Sequence, residues 1–398
     1  MHDVERYTSF GWHRTGSKGD LETTAWLTAH WNGLGYDVVH MPVRTPNPDT
    51  TSARIVVDGK TISAFAQPPV VSTHVDGMAG RLAWWRTEDP SEVRDRIALV
   101  YVEREQNGIS PSEAYREAAT SAAAAGALAV VMVMSGPTDG VIAINTPIDL
   151  RGSVPVLQVG KKERPTLDAA SNAGSPVTLI IQGPGGERTG YNTVATSGSV
   201  GPWVVVSTPQ SGWFNCGGER GPGIAIARAL STWAISSGLP VRWLFVSTSG
   251  HEWVDHGATL FHELAAPAPD ETALWYHLGA GFGARAFVEQ GSTLIAQSGP
   301  NQRRAHMATQ DLHELIAAVF AGQPIIDRPL AADATLARGE FRLLLERGYR
   351  TAAGFWGANA HFHTPADGSN STTAEVMEPI ARAISHVIRR KLERLPGA

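Results

Sequence analysis

One cysteine, Cys216, in 398 residues excludes an internal disulfide framework and any metal cluster built on thiolates alone. Charge is also sparse. Asp, Glu, Lys and Arg make up 18% of the chain against 42% apolar residues, a balance that excludes intrinsic disorder. The basic residues are scattered and the net charge is −5, so no electrostatic footprint for nucleic acid exists. No apolar run reaches the roughly 18 residues a membrane helix needs. The opening MHDVERYTSF carries acids where a secretion signal needs bases. A cytoplasmic protein without a membrane partner is expected. A glycine-rich nucleotide fingerprint and a GxSxG elbow are also missing, which weakens nucleotide-binding and serine-hydrolase readings.

What the chain does have is 41 Gly, 25 Pro and 12 Trp, a composition suited to a loop-rich α/β enzyme whose tryptophans fill core and wall a pocket. Residues 19–34 repeat apolar positions at helical spacing behind Ser17 and Asp20, and YDVVHMPV follows as a strand. ARIVVDGKTISAF reads as a hairpin turning at Asp58-Gly59. From 70 to 183 the texture changes to IALVYVE, the alanine-rich helix SPSEAYREAATSAAAAGA, the strand LAVVMVM, then VPVLQVG, a short helix and VTLIIQG. This is a smaller β/α unit, closed by the glycine-rich joint GPGGERTG at 183–190. Beyond it, strands NTVATSG, PWVVVST, VRWLFVSTS and TALWYHLG alternate with helices at 221–237, near 255–264, at 307–321 and at 373–395. The fold class expected is α/β: a doubly wound, mainly parallel sheet formed by 1–69 and 184–398, with 70–183 inserted.

Ligands of such sheets bind beyond the carboxyl ends of the strands. Those ends carry Glu219, His251, Glu252, Asp255, His256, His277, His361, His363 and Asp367, an imidazole and carboxylate set that suits zinc, manganese, iron or cobalt. HEWVDH is not a zincin helix, because histidines five apart are turned about 500° and leave a common face.

The motifs resemble the zinc aminopeptidase family, which also contains glutaminyl cyclases, over nearly the whole chain. HRTGS (13–17) is similar to its Arg-x-x-Gly-Ser segment, VVVSTPQSG to the strand ending in His-x-Asp, and NCGGERGPGIAIARAL to the Asp-Asn-Ala-Ser-Gly loop and helix. WLFVSTSGHEWVDHGA resembles the Glu-Glu strand end, WYHLGAG the Asn-Leu-Asp segment, and FHTPAD the Tyr-His-Thr-x-x-Asp segment. Residues 70–183 resemble the family's inserted protease-associated domain.

The resemblance implies that the first metal position, which falls on Pro209, Glu219 and His277, is lost, because proline offers no ligand atom. The second falls on Glu219, Glu252 and His363, which are competent to hold one exchangeable divalent transition metal ion. His251 stands where the family keeps its general base and is expected to shuttle the proton, and His277 to orient substrate. Arg220, Trp213 and Trp356 are expected to contact it. The implied function is hydrolysis of a C–N bond in a small, aromatic substrate by metal-bound hydroxide, as in the family's nitroanthranilate-type aminohydrolases. An aminopeptidase or amidohydrolase on short peptides and a metal-free binding protein are the alternatives. A small-molecule partner and a homo-oligomer are expected.

Overall fold

The computed structural model describes residues 1–103 and 112–393. Its larger sheet has eight strands in the order Asp37–Pro46, Glu187–Ser197, Arg242–Thr248, Trp203–Pro209, Thr272–Leu278, Ala352–Gly357, Arg304–Ala308, Leu330–Ala331. The four strands from Arg242–Thr248 to Ala352–Gly357 run parallel, while Asp37–Pro46, Glu187–Ser197 and Arg304–Ala308 pair antiparallel on the flanks. The expected α/β class is thus present, with a parallel centre and one further parallel pair, Arg304–Ala308 with Leu330–Ala331, at an edge.

Alternation along these strands builds a core on each face. Val204, Val206, Phe245 and Tyr276 enter one apolar cluster with Leu27, Trp31, Ile224 and Ile384, from the helices Lys18–Gly33, Gly221–Ser236 and Ala374–Leu392. Val205, Leu244, Val246 and Trp275 enter the other, against Phe261 and Phe341 from the helices His256–Leu264 and Phe341–Glu346. Gly354 permits the second contact, since a Cβ there would lie 2.5 Å from the Phe341 ring. No helix among the described residues is long and apolar enough to cross a membrane.

The smaller unit is a second sheet of eight strands. It takes in Ser52–Val57, Lys60–Ser63 and Phe65–Ala66, which the sequence reading assigned to the larger unit: Ile55 pairs with Leu179 and Ala66 with Leu157. The crossing segments lie side by side, with Asn47 N–H donating to Gly186 O at 2.9 Å, so the change of sheet falls near 51 and 183 instead of 70 and 183. The Asp58-Gly59 turn is present, both residues having positive φ. The alanine-rich helix is described as Ser112–Ala124; Ser110 and Pro111, expected to open it, lie outside the described residues, as do 394 and 395 of the last helix.

One helix is corrected. Residues 307–321 are not helical throughout: Arg304–Ala308 is a strand, and the helix spans His313–Val319. The buried strand Ala352–Gly357 has main-chain groups to satisfy on that side, and pairing Met307 with Gly354 meets the demand. Sheet pairing here overrides local helical spacing.

His306, on that strand, is buried against Phe355 with ring centroids 4.1 Å apart, and its nitrogens meet Ile326 O at 3.1 Å and the Tyr276 hydroxyl at 2.8 Å. Burial pushes its pKa down to about 3, and burial likewise holds His13 and His277 at about 3. Unfolded histidine titrates near 6.5. The stability these neutral rings contribute is therefore complete above about pH 6.5 and lost as pH falls toward 3. Urea-unfolding midpoints should drop between about pH 7 and 4, and His306→Gln should flatten the slope; an unchanged slope would refute the assignment.

Candidate functional site

The strand ends Thr248, Pro209, Leu278 and Gly357 point toward a cavity of about 670 Å3, lined among others by His251, Asp255, His277, Glu340, Trp356 and His363. Asn145 and Pro147 of the smaller unit complete its wall. That unit is tied to the site through the main chain: Thr146 N–H donates to Glu252 O and Ala143 N–H to His363 O, each at 3.0 Å. Backbone strain concentrates in the same loops. Cys216, Val254, Asp255 and His363 all have positive φ between 51° and 60°, a conformation costly for non-glycine residues and typical of positions held by function.

The residues expected to hold the metal do not converge. Glu219 and His363 meet, Oε1 to Nε2, at 3.4 Å. Glu252 faces elsewhere and is occupied: it accepts from Thr15 N–H at 2.5 Å, the Thr15 hydroxyl at 2.7 Å and the Ser211 hydroxyl at 2.8 Å. It acts as a latch joining the segment before the first long helix to the Pro209 loop. Gln210, beside the missing ligand Pro209, is likewise taken up by Asp20 and Thr24 at 2.8 and 2.9 Å.

Glu219 is positioned from behind by Asp367, whose carboxylate accepts from Gly218 and Glu219 N–H at 2.9 and 3.0 Å. Gly217 lets those loops touch, since a Cβ there would lie 2.1 Å from Gly368 O. Burial alone would raise the Glu219 carboxyl, but the Arg220 guanidinium at 2.7 Å, with His363, brings it down to about 2. Burial and the Glu219 charge push Asp367 up to about 7.

A different set does meet the spacing of metal ligands. Among the described residues, His251, Asp255 and Glu340 place ligand atoms within 4.8 Å of one another, and all are buried. His251 Nδ1 is 3.0 Å from Asp255 Oδ1 and 3.1 Å from Glu340 Oε1, and the Thr248 hydroxyl holds Glu340 at 2.8 Å. Burial and Arg220 press the His251 pKa down, but Asp255 and the bonds to both carboxylates prevail and hold it at about 9. The cluster can therefore hold a proton, or, with that proton displaced, one divalent cation on a nitrogen and two oxygens.

Two further histidines face the cavity. Ser207 Oγ accepts the Trp275 indole N–H at 2.8 Å and lies 2.9 Å from His277 Nδ1; the arrangement that uses every hydrogen has the hydroxyl donating to Nδ1 and leaves Nε2–H as a donor. His363 Nδ1 donates to Ala143 O at 2.9 Å, so its Nε2, beside Glu219, carries the lone pair.

Of the residues expected to touch substrate, Trp356 lines the cavity. Trp213 is fully buried with Ala143 and Phe214, its N–H spent on Asn145 at 2.9 Å, and Arg220 is fully buried against Glu219. Neither is among the residues lining the cavity. His251 lies in the short turn His251–Trp253 and His256 opens the next helix after positive-φ residues Val254 and Asp255, so the two do not share a helix and HEWVDH is not a zincin motif. Glu340 was missed, since GEFRLLLERG has no motif character; Asp255 stood among the candidate ligands at the strand ends but was given no role of its own.

Solved structures similar to this chain include a zinc aminopeptidase from Bacillus subtilis (14% identity, 98% of this chain and 93% of that chain, TM-score 0.76). Others are a peptidase M28 precursor from Shewanella amazonensis (16%, 98% and 91%, TM-score 0.73) and an aminopeptidase from Aneurinibacillus sp. strain AM-1 (15%, 98% and 93%, TM-score 0.69). At these identities the likeness shows the fold. No protein-family model matches the sequence, and no curated protein matches it significantly.

If Glu252 is a latch, Glu252→Ala leaves three buried donors without an acceptor, at about 1–3 kcal/mol each. Thermal unfolding should shift down by several degrees while bound metal per chain stays unchanged. Loss of metal without loss of stability would return Glu252 to the ligand role.

Proposed function

We propose that the chain is a hydrolase that cleaves a C–N bond of amide or short-peptide type in a small, carboxylate-bearing substrate. The observation that carries this reading is the buried His251, Asp255 and Glu340 set opening on a 670 Å3 cavity at the strand ends. Similarity in fold to zinc aminopeptidases supports it. His251 Nδ1, Asp255 and Glu340 would hold one divalent cation, which when bound polarises a carbonyl and lowers the pKa of water. Zinc, manganese, iron and cobalt all accept this donor set.

The chain's own groups do the rest. His363 Nε2, its tautomer set by Ala143 and its imidazolium stabilised by Glu219, takes the proton from water and returns it to the leaving amine. Water adds to the carbonyl carbon, the C–N bond breaks, and the products are a carboxylate and an amine. His277 Nε2–H donates to the substrate. Arg116, Arg303 and Arg338 line the cavity; Arg338 donates to the carbonyls of Thr335, Leu336 and Ala337 and, among the described residues, to no carboxylate, so cationic charge is available for an anionic substrate. Phe355, Trp356 and Phe362 supply an apolar wall, which supports an aromatic group on that substrate.

The test is metal analysis of purified protein alongside assays with acidic aminoacyl anilides, short acidic peptides and nitroanthranilate. One ion per chain, lost in Asp255→Asn and Glu340→Gln, with amine release from the anilides or peptides, is expected. Ammonia release from nitroanthranilate alone would place the reaction at an aromatic carbon instead. No turnover of any of these would sink the hydrolase reading. His363→Ala should keep the ion and lower kcat by about 10²–10⁴-fold.

A further inference from the structure

The pair Glu219 and His363 has the geometry of half a metal site. Its 3.4 Å separation matches the roughly 3.4 Å between two ligands of one tetrahedral ion, and both Glu219 oxygens are buried without a directed hydrogen bond. Yet the positive charge beside this carboxylate is supplied by the protein. Arg220, adjacent in sequence, is fully buried, with its Nη2 2.7 Å from Glu219 Oε1. Its Nε donates to Ser211 O at 3.1 Å, which pins the guanidinium in the loop, while Nη1 and Nη2 lack directed hydrogen bonds. The contact is thus mainly one of charge, and it leaves the Glu219 lone pairs undirected.

We infer that Arg220 is a built-in cation that takes the electrostatic place of a metal ion at Glu219 and His363, and that it closes this position to metal. A guanidinium is always charged and cannot dissociate. With it beside the carboxylate, a divalent ion at Glu219 would have to sit next to a fixed positive charge in a site of low dielectric. The third expected ligand, Glu252, is withdrawn into its latch with Thr15 and Ser211. Two ligands facing a fixed cation are closed to a metal, whereas the same two without that cation can take one ion whose remaining positions are filled by water. This inference stands apart from the hydrolase reading, because it concerns charge at Glu219 and is read by metal count and stability.

The experiment compares wild type, Arg220→Asn and the neutral double variant Glu219→Gln/Arg220→Gln after equilibration with Co2+ and removal of free ion. Arg220→Asn should hold one more Co2+ per chain than wild type and gain thermal stability on adding Co2+. The double variant, lacking both charges, should fold without added metal and return to the wild-type count. Adding His363→Ala to Arg220→Asn should remove the extra ion. Should Arg220→Asn fail to fold alone, recovery of folded protein in Co2+ supports the inference. Failure to recover while the double variant folds overturns it. A folded Arg220→Asn with the wild-type count, or a wild-type chain that loses an ion on Glu219→Gln, overturns it as well.

Discussion

Buried carboxylates need compensating charge or hydrogen-bond donors, and the centre of this protein is organised by that constraint. Glu219, Glu252, Asp255, Glu340 and Asp367 are all buried at or behind the carboxyl ends of the parallel strands. Each is met differently. Glu219 has Arg220, Asp255 and Glu340 share His251, Glu252 has three neutral donors, and Asp367 has two main-chain N–H groups with its own pKa raised to about 7. An uncompensated carboxylate in such a place costs several kcal/mol, so the partners cannot be chosen independently of the fold. Moving Arg220 or His251 would unbalance acids delivered by three separate segments.

The same constraint explains what the sequence could and could not convey. Buried apolar strands such as PWVVVST and RWLFVST, and the polar residues after them, are local signals, and His251 and His277 were legible from position, whereas His363 was singled out by the resemblance of FHTPAD. All three line the cavity. Glu340 was not legible, because it enters from the start of a short helix and acquires meaning only through Thr248 and His251, which are distant in sequence. Arg220 looked available for substrate because a charged residue after a glycine-rich loop is ordinarily exposed; only the depth of that loop shows it spent on its neighbour. Trp213 was misplaced for a similar reason, since its indole is satisfied by Asn145 from the other unit.

In the fold, errors fell where hydrogen-bond demand from a distant strand decided the outcome. AAGFWG is short and glycine-interrupted, so its place as a central parallel strand was not visible, and without it Met307 and Ala308, the end of the strand Arg304–Ala308, read as the start of a helix. The boundary of the smaller unit moved likewise. Ser52–Val57 is a well-formed strand in either reading, and only its pairing with Pro176–Gln182 assigns it to a sheet. The period of side chains identifies a strand; its partner depends on the rest of the chain.

The motif positions show that residue type and residue role separate once neighbours change. Glu252 stands where the resemblance implies a metal ligand, but Thr15 and Ser211 supply three donors that make it a structural latch, and Ser211 also accepts the His251 N–H at 3.1 Å. The latch therefore fixes the main chain from which His251 projects. His363 is fixed from the opposite side by Ala143 of the smaller unit through both its ring and its carbonyl. Two of the three histidines on the cavity are thus held by different bodies of the protein, His251 by the segment preceding the first long helix and His363 by a loop of the smaller unit. Displacing either body would separate the proton acceptor from the cation-binding cluster without altering a single ligand, so the geometry of the cavity depends on the packing of both sheets as much as on the residues that line it.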